Sequence, residues 1–174
     1  MVLLHALRWY GGTPPCSMVV RCTGHVDICL LLILNKADIN APHKDGSTPL
    51  RAACYYGHAD VVRILLQQGA CVDRADENGV TPLYRSCEMG HVDVCRLFIQ
   101  HGANVNARQC KGKSPLMAAC GLHGNASIVQ LLLSNGANTT MTDDDGNTPL
   151  MCALNLIPNQ DCEVVRLLEN CKQN

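Results

Sequence analysis

Thr48-Pro49-Leu50-Arg51-Ala52-Ala53-Cys54-Tyr55-Tyr56-Gly57-His58 organises the whole chain, because it returns. Its opening triplet comes back as Thr81-Pro82-Leu83, Ser114-Pro115-Leu116 and Thr148-Pro149-Leu150, at spacings of 33, 33 and 34 residues. Gly24-His25, Gly57-His58 and Gly90-His91 keep the same interval of 33, and Gly124-Asn125 follows after 34. A third landmark runs in the same register: Gly69-Ala70, Gly102-Ala103 and Gly136-Ala137, with Lys36-Ala37 in the matching place one unit earlier. Three landmarks in one register mark a tandem array of a single structural unit.

Each landmark has a physical job. Thr or Ser before Pro is a helix N-cap followed by the first helical residue, so a first helix starts there. Gly57, Gly90 and Gly124 stand where that helix must end in a left-handed residue. Asp60 and Asp93 then sit near the start of a second helix, where negative charge suits the helix dipole. Val61, Val62, Leu65 and Leu66 form an apolar stripe at helical spacing. The stripe recurs as Val94, Cys95, Phe98 and Ile99, then as Ile128, Val129, Leu132 and Leu133. Gly69, Gly102 and Gly136 close the second helix. Asp45-Gly46, Asn78-Gly79, Lys111-Gly112 and Asp145-Gly146 supply the tight turn of a projecting hairpin.

The succession Asp-Gly-x-Thr-Pro-Leu, then Gly-His, then an apolar run, then Gly-Ala-x-Val-Asn resembles the ankyrin repeat over roughly residues 11 to 170. The resemblance implies an all-α-dominated solenoid of about five helix–turn–helix units with projecting β-hairpin loops, in which no unit buries its apolar faces alone. The expected division is an uncertain segment 1–10, then repeats at 11–43, 44–76, 77–109, 110–143 and 144–174. The end units are irregular. Gly12-Thr13-Pro14 comes two residues early for Gly24, and extra residues surround Ile157-Pro158-Asn159-Gln160. Terminal repeats that cap the stack and a chain that is a fragment both fit this.

Composition agrees with thin, closely stacked helices. Hydrophobic residues make up 47% of the 174 but aromatics only 3%, so the core must be built from Leu, Val, Ile, Ala and Cys. The net charge of −1 lacks the concentrated basic face of a nucleic-acid binder. The longest apolar run, Ile28 to Leu34, is far short of a membrane span. Residues 1 to 10 lack the charged–apolar–small pattern of a signal peptide.

Twelve cysteines raise the question of a disulfide scaffold. Cys54, Cys87 and Cys120 recur 33 apart on the first helix. Packed helices lie about 8–10 Å apart, whereas a disulfide needs Cα atoms within about 7 Å. The ladder is therefore expected to stay reduced as core packing, which fits a cytoplasmic or nuclear compartment. Cys29 and Cys95 stand where Val62 and Val129 stand in other units, again core positions. Cys71 and Cys110 are less obviously buried, and Cys110 at a turn tip is expected to be oxidisable.

Metal, cofactor and catalytic readings find little. Cys54 with His58, Cys87 with His91 and Cys120 with His123 have tempting spacings, but no compact pair of Cys-x-x-Cys motifs accompanies them. Asp143-Asp144-Asp145-Gly146 fails as a calcium loop, since positions 1 and 12 would be Met141 and Cys152. No glycine-rich phosphate loop or nucleophile elbow is present. The chain is read as a non-enzyme with no cofactor and no metal.

Subtracting the repeat pattern leaves the variable positions for recognition. By the resemblance, partners meet the turn tips and the concave side of the first helix. The pairs before the helix-ending Gly are Tyr55 and Tyr56, Glu88 and Met89, and Leu122 and His123. The residues after Thr-Pro-Leu are Arg51, Tyr84, Met117 and Met151, where the family usually has His. Three of the four tyrosines and three of the six methionines fall in this set. Tyr and Arg are favoured interface anchors and Met adapts to irregular partners. Tyr55 and Tyr56 can also be read as mere cover for the helix. The tips alternate in sign, with Asp76 and Glu77 acidic, Arg108, Lys111 and Lys113 basic, and Asp143 to Asp145 acidic, a mosaic suited to a protein partner rather than a polyanion.

The expected function is a scaffold that binds a partner protein, with the chain monomeric or part of a longer one. Two alternatives stand beside it. The segment from Thr48 to Cys54 with Gly57-His58 looks somewhat like repeats of Fem-type ubiquitin-ligase receptors, implying a substrate-receptor arm. The turn asparagines Asn40 and Asn106 resemble sites of asparaginyl hydroxylation, implying a modification substrate.

Overall fold

The computed structural model describes residues 26–42, 48–121, 125–156 and 163–171. The expectations for residues 1–25, for the turn at 43–47, for Leu122, His123 and Gly124, and for 157–162 lie outside the described residues. The chain divides into two compact units, Met1–Val72 and Asp73–Asn174.

In the first unit the described helices are α1 (Val26–Leu34), α2 (Pro49–Tyr56) and α3 (Ala59–Gln67). Thr48 Oγ1 accepts from the Arg51 N–H at 3.2 Å, which caps α2 as the Thr-Pro pair requires. Gly57 ends α2 at φ 73°, and the His58 N–H returns to the Ala53 carbonyl at 3.0 Å. That left-handed stop reverses the chain into α3. The apolar stripe Val61, Val62, Leu65 and Leu66 is buried, with α3 packing against both α2 and α1.

The second unit holds α4 (Pro82–Met89), α5 (Val92–Gln100), α6 (Pro115–Cys120), α7 (Ala126–Leu133), α8 (Pro149–Leu156) and α9 (Glu163–Asn170). First helices pack in one row, α4 on α6 on α8, and second helices in another, α5 on α7 on α9. Leu83, Leu116, Val94, Phe98, Ile128, Val129, Leu132, Val164 and Leu168 are sealed between the rows. Each such side chain contributes about 1.5–3 kcal/mol relative to exposure.

The second helices stop in one manner across both units. Ala37, Ala70, Ala103 and Ala137 donate to Leu32, Leu65, Phe98 and Leu132 carbonyls at 3.0, 2.9, 3.0 and 3.0 Å. The preceding residue is left-handed each time: Gly69, Gly102 and Gly136 at φ 85°, 78° and 81°, and Lys36 at φ 60°. Lys36 therefore performs the glycine's task with a side chain attached.

Two details depart from expectation. Helix α6 spans six residues rather than the eight of α2, α4 and α8, and its cap Gly121 has φ −73°. The projecting loops are turns, and no strand occurs among the described residues. Asp76 with Val80, Gln109 with Lys113 and Asp143 with Asn147 each close one turn through a backbone bond of 3.0–3.2 Å. The next residue is already the helix cap Thr81, Ser114 or Thr148, so no ladder can extend. The turns of the second unit are tied side by side: Cys110 N–H donates to the Asn78 carbonyl at 2.8 Å, and Asp144 N–H to the Lys111 carbonyl at 3.1 Å.

Candidate functional site

On α2 the last two residues before Gly57 point into solvent. Tyr55 is 48% exposed and Tyr56 45%. Their rings meet edge to face with centroids 5.1 Å apart, and Tyr56 also stacks on the His58 ring at 5.9 Å. The left-handed Gly57 makes that stack, because it turns the chain back so that His58 lies beside the helix end. The result is a braced aromatic surface that loses little side-chain freedom when covered. In the sequence His58 is a repeat landmark and a tempting metal partner for Cys54; its closeness to Tyr56 depends on the three-dimensional turn. Arg51, one helical turn earlier, is half-buried.

In the second unit, Glu88 and Met89 occupy the corresponding end of α4 and are half-buried. The Glu88 carboxylate forms an ion pair with the Arg85 guanidinium. Lys111 is exposed at its turn tip, and Lys113 is half-buried close enough to Asp143 to influence its charge. Asp143 is itself nearly buried and serves its own turn, accepting from the Asn147 N–H at 2.7 Å and the Asp145 N–H at 3.1 Å. Burial alone would raise its pKa, but these donors, the Asn147 side chain and Lys113 outweigh it and hold the carboxyl below its ordinary range.

Two expected contact residues are corrected. Tyr84 is 7% exposed and Met117 2%, so neither offers its side chain to a partner. The Tyr84 hydroxyl is engaged by the Gln109 side chain, and burial followed by the nearby Glu88 carboxylate pushes its pKa up. Met117 turns back so that its Sδ accepts from the Ser114 N–H at 3.4 Å. Met151, the fourth member of the series, remains 49% exposed on α8. Leu154, one turn on, is 39% exposed and was missed. Its signal was present, since it breaks the cysteine ladder at that position.

The turn asparagines act as clamps. Asn40 Oδ1 accepts from the Cys71 N–H at 3.2 Å. Asn106 accepts from the Asn138 N–H at 2.8 Å and donates to the Gly136 carbonyl at 3.1 Å. Asp73 plays the same part toward the Asn104 N–H.

Cys54, Cys87 and Cys120 are buried, as are Cys29 and Cys95, in keeping with core packing. Cys71 and Cys110 are exposed. Burial, and then the facing Cys95, hold the Cys87 thiol well above its ordinary pKa. Among the described residues no three His, Cys, Asp or Glu side chains converge as metal ligands. Among them, too, no helix is long and apolar enough to cross a membrane.

No curated protein matches the chain. A family model described as ankyrin repeats in three copies matches residues 17–109 and again 106–174. Ankyrin repeats are in general protein–protein interaction modules. The capped helix pairs, left-handed glycines and tied turns thus coincide with a match that runs from residue 17 to residue 174, and the chain belongs to the ankyrin-repeat family.

Proposed function

We propose that the chain holds a partner protein through the exposed ends of its first helices, with Tyr55 and Tyr56 of α2 as the main anchor. The observation that carries this reading is the braced pair itself: two half-exposed rings in edge-to-face contact, with His58 stacked behind them. Large aromatic side chains that are already positioned are the commonest hot spots of interfaces. On the second unit, Glu88 and Met89 of α4 and Lys111 at its turn tip are the corresponding candidates for polar and adaptable contacts.

The test is affinity capture from cell extract with the intact chain and with a Tyr55→Ala, Tyr56→Ala variant of unchanged circular dichroism. Tyr84 is left intact, because its removal would damage the core. A partner captured by the intact chain and lost by the variant supports the aromatic anchor. The same partners with both proteins would overturn it and move recognition to the turn tips.

A further inference from the structure

The repeat built from α4 and α5 carries a thiol at each of two facing core positions. Cys87 on α4 and Cys95 on α5 are buried, with their Sγ atoms 3.7 Å apart. In the repeats on either side, the same two positions hold Cys54 with Val62 and Cys120 with Val129, all four of them buried. Valine therefore packs this place in both neighbours, and the repeat needs no second sulfur to fill its core. What the second thiol adds is chemistry.

A disulfide has an S–S length of about 2.05 Å, so the two sulfurs need to approach by only about 1.7 Å. They stand eight positions apart, across the chain reversal at left-handed Gly90. A bond between them joins the two helices of one repeat. Burial also selects the product. It disfavours thiolates, whereas a disulfide is neutral and replaces two thiols without placing a charge in the core. Cys120 on α6 lies near enough to influence the charge of Cys87 and is the rival partner.

We propose that Cys87 and Cys95 are a redox-sensitive pair that closes to a disulfide when a peroxide reaches it, tying α4 to α5. One thiol reduces hydrogen peroxide, becoming a sulfenic acid and releasing water. The second thiol then displaces the hydroxyl as another water and forms the S–S bond. Two thiols give up two hydrogens and two electrons, and the peroxide takes them to become two waters. The sealed interface makes the first step wait for local opening, and the sulfur contact makes the second follow at once. Glu88 and Met89 come directly after Cys87, so the tie also fixes the helix end that carries them.

The test treats the folded full chain with hydrogen peroxide, blocks the remaining thiols with N-ethylmaleimide after unfolding, and cleaves with trypsin. Arg85 and Arg96 bracket the pair, so both cysteines fall in one peptide, Ser86 to Arg96. A fraction of this peptide should carry no maleimide and weigh about 2 Da less than the dithiol form. Dithiothreitol added before blocking should restore both thiols. Cys95→Val reproduces the thiol–valine pair of both neighbours, so it should fold, and its peptide should show no such loss. A peptide that stays dithiol at a dose that has oxidised exposed Cys71 and Cys110 would overturn the proposal. So would a 2 Da loss (about two hydrogens) seen only in urea that unfolds the chain, or pairing of Cys87 with Cys120 in place of Cys95.

Discussion

The Sγ atoms of Cys87 and Cys95 lie 3.7 Å apart, in contact between α4 and α5 and shut off from water. Both thiols are buried and admit no reagent without local opening, and burial also holds the Cys87 thiol well above its ordinary pKa. Under native conditions Cys87 and Cys95 should alkylate roughly a hundredfold or more slowly than Cys71 and Cys110. Mass spectrometry of timed iodoacetamide labelling reads this directly, and equal rates would contradict the sealed interface.

Tyr84 and Tyr55 should separate core from surface. Tyr84→Ala leaves a cavity where the buried ring stood and should cost about 3–5 kcal/mol, while Tyr84→Phe loses only the Gln109 partner at about 1 kcal/mol. Tyr55→Ala should cost less than about 1 kcal/mol, the worth of an exposed edge-to-face pair. Urea unfolding followed by circular dichroism gives all three values.

Lys36 holds a left-handed conformation that glycine adopts without strain. Lys36→Gly should therefore stabilise the first unit by about 0.5–1 kcal/mol, the relieved strain being partly offset by a freer unfolded chain. Gly102→Ala should cost about 1 kcal/mol from backbone strain alone, since a Cβ there meets nothing within 4 Å. Gly112→Ala should cost more, because a Cβ would lie 2.6 Å from Asp144 Oδ1 and 3.1 Å from its backbone nitrogen. Denaturant midpoints rank the three.

Asp143 makes stability depend on acid. Its folded pKa lies below the ordinary 3.8, so its contribution is fully present above that value and is lost as the pH falls through the folded pKa. Asp143→Asn should cost on the order of 1 kcal/mol at neutral pH. The gap between variant and parent should close in strongly acidic solution. Thermal unfolding of both proteins across the acid range checks the sign.

What could be read without coordinates was local chemistry. Thr81 before Pro82 had to cap a helix, and Gly90 had to turn left-handed, because neighbours in sequence impose both. Even Lys36 was legible by position. The side of a helix that the next repeat covers was not. Tyr84 and Met151 stand at the same place in their units, yet Tyr84 is buried with its hydroxyl engaged by Gln109 while Met151 is 49% exposed. The shortening of α6 to end at Gly121 had no signal either, since Gly124 offered the expected stop. The turns lacked strands for a reason visible afterwards: Val80, Lys113 and Asn147 each abut a helix cap.

The asparagine clamp from Asn106 to Asn138 and Gly136 joins residues only 32 and 30 positions apart. Backbone ties between turns, such as Cys110 to Asn78, span the same distance. The loops that must close to make these bonds are therefore no longer than about one repeat, and their entropic cost stays fixed however many repeats are added. Duplication or loss of a whole unit within such an array would leave every surviving tie with the same reach, so the array can change length without the chain having to solve a new folding problem.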